Sequence, residues 1–103
     1  MSTYKCIIVI VKRGDGEDVV TSASAHGARG GTIIHGRGTS IRENKKVFGT
    51  LIEPEKDIVL IVTNTDILED VMDGIRDGID LEAPGKGILF TIDLDQVEGV
   101  LDD

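Results

Sequence analysis

Two tripeptides set a positive charge between glycines: Gly36-Arg37-Gly38 within GRGTS and Gly85-Lys86-Gly87 within PGKGI. Glycine lets the backbone turn with positive φ and lets a ligand approach its N–H groups closely. Successive N–H groups beside a cation make a concave nest for an anion. Neither tripeptide completes a nucleotide-binding signature. GRGTS has no third glycine and does not open a helix, and PGKGI lacks the eight-residue spacing of a phosphate loop. Their force comes from being paired. On the edges of one sheet, such loops from neighbouring subunits would meet and hold a phosphate between Arg37 and Lys86. The plain alternative is that the glycines serve turns alone and the cations are solvated.

The remaining reactive side chains point away from catalysis. His26 and His35 are the only histidines and Cys6 the only cysteine, so no metal-ligand set is expected. His35 is expected in a pocket or interface and His26 at a helix end. No serine, histidine and aspartate arrangement marks a nucleophile and its base, so turnover is not expected. A phosphate-handling enzyme on this scaffold would have to use Arg13 or Arg37 as its anion binder, with neither nucleophile nor base supplied.

Charge is unevenly distributed along the 103 residues, whose net charge is −8. Residues 29–56 carry six cations (Arg29, Arg37, Arg42, Lys45, Lys46, Lys56) against three acids, whereas residues 57–103 carry thirteen acids against Arg76 and Lys86. A basic middle suits a small anion, and the acidic remainder argues against nucleic acid. An unpaired Cys6 excludes a disulfide framework within one chain and suits a reducing, cytoplasmic setting. The apolar run Cys6 to Val11, bounded by Lys5 and Lys12, is too short for a signal-peptide core or a membrane span. With two Phe, one Tyr and no Trp, the core must be aliphatic, and a small domain of this kind gains from a partner subunit.

The elements that position these residues can be read from an internal echo. CIIVIVKRGD (6–15) and DIVLIVTNTD (57–66) each present an apolar run, a polar turn and an aspartate. The first is followed by a helix expected over about 16–26, with Asp15, Glu17 and Asp18 at its positive end and Gly27 as its stop. The second leads into an amphipathic helix whose apolar stripe is Ile67, Leu68, Val71, Met72, Ile75 and Ile79, with Asp66 and Glu69 expected as a reciprocal cap. A second β run follows each helix, TIIHG at 32–36 and GILFTID at 87–93. The order βαββαβ predicts an α+β, ferredoxin-like fold, a four-stranded antiparallel sheet with two helices on one face. Strands one and three are expected to be central, and their unbroken apolar character reads as a parallel pair covered on both faces. No element remains to cover the second face, which predicts an oligomer. The connection 39–57 exceeds what a hairpin needs. It reads as a projecting hairpin or loop with Phe48 as a contact residue, or else Val47 to Ile52 extend the flanking strands.

The sequence of these features, with HGRG leading into the long connection, PEKDIVLIV leaving it and PGKGILFTID before the last strand, resembles the PII signal-transduction family, and more closely its divergent PII-like members, over about residues 4–93. The resemblance implies a homotrimer with its sheets facing inward and adenine nucleotides (ATP, ADP or AMP) in clefts between subunits. It also implies a protruding T-loop that docks on a membrane transporter, an enzyme or another regulator. Gly36, Arg37 and Gly38 are similar to the family's glycine turn at the loop base, with Thr39 next to them in the expected effector site, and Gly85, Lys86 and Gly87 to its phosphate-wrapping B-loop. By the same resemblance Gly30 and Gly31 pass close to adenine and Lys56 faces the phosphates, unless Glu55 takes that position. Several family features are absent. Thr39 and Ser40 stand where the family has Arg-Gln, which implies no 2-oxoglutarate sensing. Ile88 stands where the B-loop has a lysine, the shorter loop has no tyrosine to uridylylate, and DLDQVEGVLDD replaces an arginine-rich segment. Nucleotide preference is therefore expected to shift towards ADP or AMP.

The resulting expectation is a single domain, 1–103, with a T-loop-like connection at 39–53 and an acidic tail at 94–103. It would be a cytoplasmic, trimeric, non-catalytic regulator that neither inserts into a membrane nor binds nucleic acid. Its competitor is a nucleotide-independent trimeric adaptor.

Overall fold

A computed structural model describes residues 3–38, 45–47, 50–52 and 54–100. Eight elements follow in order: β1 (Tyr4–Lys12), α1 (Gly16–Ala25), β2 (Thr32–Arg37), β3 (Lys45–Val47), β4 (Thr50–Ile52), β5 (Glu55–Asn64), α2 (Leu68–Ile79) and β6 (Ile88–Asp93). Four strands form the main sheet in the order β2-β5-β1-β6, and every neighbouring pair is antiparallel. The expected fold class is therefore present.

Two details differ from what the sequence suggests. The central strands β1 and β5 run antiparallel, not parallel, with Tyr4 opposite Asn64 and Lys12 opposite Lys56. An apolar run records burial and says nothing of direction. Direction is set by connectivity: the α1 crossover returns β2 in the same sense as β1, and β5 fills the gap between them with the opposite sense. Asp66 does not cap α2. Its backbone N–H donates to Asn64 Oδ1 at 2.8 Å, and the cap position falls to Ile67 with no side-chain bond. An Asn two residues ahead offers the same local turn chemistry as a cap.

The long connection contains the antiparallel ribbon β3–β4, a two-stranded sheet of its own in which Val47 opposes Thr50. Those residues therefore do not extend β2 and β5. Phe48 lies outside the described residues.

Alternation divides the sheet into two unlike faces. Ile7, Val9 and Val11 of β1 with Val59 and Ile61 of β5 pack against Val19 and Ala23 of α1 and Val71, Ile75 and Ile79 of α2. Each fully buried Val or Ile there contributes about 1.5–3 kcal/mol relative to exposure. The helices can close on each other because α2 turns glycines towards α1. A Cβ at Gly78 would collide with Ser22, and one at Gly74 with the ring of His26, which caps the C-terminus of α1 and bonds Asp70 at 3.0 Å through Nδ1. On the opposite face, Ile34 (44%), Val62 (39%), Ile88 (56%), Phe90 (41%) and Ile92 (45%) are left exposed by the single chain.

Candidate functional site

All four strands of the sheet present their loop-side ends together. Lys12 pairs with Lys56, Gly36 with Lys56, and Arg37 with Glu55, while β6 begins opposite Ile10 at Ile88. The glycine turn at the end of β2 is tied down where the Gly38 N–H donates to the Pro54 carbonyl at 3.1 Å, closing the base of the β3–β4 connection. A Cβ on Gly38 would lie 3.8 Å from Lys56 Cγ, and one on Gly36 3.3 Å from Ile58 Cδ1. The lysine stem therefore runs beside the glycine turn. Gly36, Arg37, Gly38 and Lys56 are thus brought together, although alternation sends Arg37 to the helix side and Lys56 to the open side. Thr39 lies outside the described residues.

Gly85, Lys86 and Gly87 hold the other edge. Gly85 (φ 77°) and Gly87 (φ 136°) both adopt positive φ, and a Cβ at Gly87 would run into the Ile10 carbonyl. This loop must therefore be glycine to reach β6 at all. Two strands, β5 and β1, separate it from the β2 turn, a span of about 14 Å at the usual strand spacing.

Gly30 and Gly31 form a third group. They precede β2, at the end remote from Arg37, about 17 Å away at the rise of a strand. They line an open groove of about 720 Å³ together with Cys6, Leu60 and Val62 of the sheet, Arg29 and Thr32, and Gly99 and Val100 of the tail. Gly31 is also a packing requirement, because a Cβ there would lie 3.1 Å from Ile61 Cγ1.

A buried carboxylate at the loop base is absent from the residues singled out by sequence. Asp57 is 3% exposed and sits on the helix side of β5. Its Oδ2 accepts from the N–H groups of Gly14 (2.9 Å) and Gly16 (3.0 Å), and its Oδ1 lies 2.9 Å from His35 Nδ1. One side chain thereby pins the β1–α1 turn, β5 and β2 together. Burial pushes the carboxyl up, but the bonds from Gly14, His35 and Gly16, with the charge of His35, outweigh it and hold Asp57 below the ordinary carboxylate range. Next to it, Arg13 bonds Glu55. That hydrogen bond and the Arg13 charge lower Glu55, with Arg37 and His35 assisting. The signal that could have found Asp57 is parity: 57 shares the alternation of Val59 and Ile61, so an acid heading that run belongs on the buried face. His35, expected in a pocket or interface, is Asp57's partner and keeps its outer edge exposed.

Among the described residues no group of three His, Cys, Asp or Glu side chains is placed to hold a metal ion. No helix among them is long and apolar enough to cross a membrane.

A sheet of order β2-β5-β1-β6 with two helices on one side, a ribbon between β2 and β5, and glycine loops at both edges defines the class of fold. The family model for nitrogen regulatory protein P-II matches residues 4–103, and the chain belongs to that family. Among solved structures, the crystal structure of Arabidopsis thaliana PII bound to citrate is similar, with a TM-score of 0.68 and 22% identity over 90% of this chain and 78% of that one. At that identity the likeness establishes the shared fold. The curated proteins offer no match.

Proposed function

We propose that the chain is a non-catalytic PII-type signalling protein. It assembles as a homotrimer, binds an adenine nucleotide or a similar anionic effector at the seams, and passes the bound state to a target through the connection 39–53. One observation carries this reading. The two glycine-flanked cations lie on opposite edges of a single sheet, too far apart to hold one phosphate group between them within one chain. An edge-to-edge contact between β2 of one copy and β6 of the next joins unlike surfaces, and such head-to-tail contacts can close into rings. In that ring, Gly36, Arg37, Gly38, Thr39 and Lys56 of one copy face Gly85, Lys86 and Gly87 of its neighbour. The groove at Gly30 and Gly31, apolar where the sheet lines it, accepts the base.

The bare face supports the same assembly, since five large exposed aliphatic and aromatic side chains on one sheet are a surface that association would cover. The whole chain acts as one cytoplasmic domain, and its target is a membrane transporter or metabolic enzyme. Effector binding works by favouring one of the conformations that the loop already samples. The Arg13–Glu55 pair and Asp57 place acids beside Arg37, which favours an effector with fewer phosphates, ADP or AMP over ATP.

A second reading is favoured by the glycines themselves. Gly31 and Gly87 are each required by packing or by φ without any ligand, as a nucleotide-independent trimeric adaptor would need. Calorimetry with ATP, ADP and AMP on the parent, Arg37→Ala and Lys86→Ala proteins separates the two. The sensor requires binding of at least one nucleotide that both substitutions weaken. Heat-silent titrations across the panel, with the trimer intact, leave the adaptor.

A further inference from the structure

After β6 the chain continues through residues 94–100 without helix or strand, yet its side chains are sorted. Leu94, Val97 and Val100 are half-buried, whereas Asp95, Gln96 and Glu98 between them are exposed. A segment with an apolar residue at every third position and polar residues between has one side that adheres. Gly99, at φ 86°, turns it, and Gly99 with Val100 lines the same groove as Cys6, Leu60, Val62 and Gly30. Cys6 reports the cover. It belongs to the open face and its register partners are Ile92 and Val62, exposed by 45% and 39%, yet Cys6 is only 6% exposed.

We propose that residues 94–100 are a strap that closes this groove against its ligand, an autoinhibitory contact that the effector must displace. This inference rests on the reading of the groove as half of the effector site. Val100 occupies apolar surface that a ligand's flat ring would need. Arg29 gives the rim a positive charge that suits the acidic strap as well as an anionic ligand, so the two compete for one place.

Alkylation of Cys6 by iodoacetamide tests the strap in the full-length protein, with no effector present and with Phe90→Asp in every sample, so that no sister chain shields the open face. Val97→Asp and Val100→Asp each put a charge on the adhering side and are expected to speed the reaction about fivefold to thirtyfold, the change in open population that a modest loss of burial brings. Gln96→Asp, on the outer side, leaves the rate unchanged, and light scattering checks that assembly is the same in all of them. Rates equal to the parent in both valine variants would overturn the strap. ADP titrated into Val97→Asp, a position that does not line the groove, binds more tightly than into the parent by a similar factor. Weaker binding would make the strap part of the binding wall and refute the lid. Because the alkylation needs no nucleotide, it tests the strap even in a protein that binds none, so failure of the strap and failure of the effector site give different results.

Discussion

The two faces of the sheet are built from the same residue types and end in opposite states. On the helix side, Val9, Val59 and Ile61 are fully buried by the chain's own α1 and α2. On the other, Ile88, Phe90 and Ile92 stand exposed along β6. Aliphatic alternation supplies two apolar surfaces, and the chain carries helices for only one. The closed face therefore governs whether the domain folds, and the open face is the surface that the proposed assembly would use.

Substitutions on the closed face have the largest expected effect on folding. Ile61→Ala removes buried volume between sheet and helices and is expected to cost about 2–5 kcal/mol in chemical denaturation. Loss of well under that range would mean that the core is not where burial places it. On the open face, Phe90→Asp leaves a folded chain by circular dichroism but abolishes assembly. If its sedimentation matched the parent's, the bare face would not be the interface.

Asp57 lies at the boundary between the faces and the loop base, and its effect is intermediate. Asp57→Asn loses charge-assisted bonds to Gly14, Gly16 and His35, expected to cost about 1–3 kcal/mol near neutral pH. The sign follows from the depressed carboxyl. Its stabilisation is fully present above the unfolded value, ordinarily about 3.9, and is lost as pH falls through the lower folded value. Acid denaturation of the parent is thus expected to be steeper than that of Asp57→Asn, and equal acid limbs would deny Asp57 this role. Arg13→Ala has the smallest effect. Its pair with Glu55 is exposed, and such pairs contribute little, so the thermal midpoint stays close to the parent's and only the salt dependence of effector binding shifts.

Much of this architecture is legible in the sequence because it depends on periodicity. The apolar runs of β1 and β5 and the helical stripe from Val71 to Ile79 each belong to one element and need no knowledge of its neighbours. What depends on connectivity is less legible. The antiparallel sense of β1 and β5 follows from the path of the α1 crossover, which no local pattern encodes. Asp66 reads as a cap by spacing, but Asn64 satisfies the donor from two residues earlier. The candidate site is legible as types and spacing at Arg37 and Lys86. Its division across two edges is also legible, because the order βαββαβ already puts β2 and β6 outermost, whereas the groove at Gly30 and Gly31 emerges only in the structure. Asp57 escapes notice because an acid at the head of a strand reads as a boundary until its parity with Val59 is considered.

If sister chains cover the open face and bring the β2 and β6 loops together, the mass of the protein in solution must show it. Light scattering coupled to size exclusion at micromolar concentration is then expected to find a species of three chains, each of 11.1 kDa. A stable, folded species of one chain's mass across that range would contradict the shared seam, because Arg37 and Lys86 would then never meet across one phosphate group.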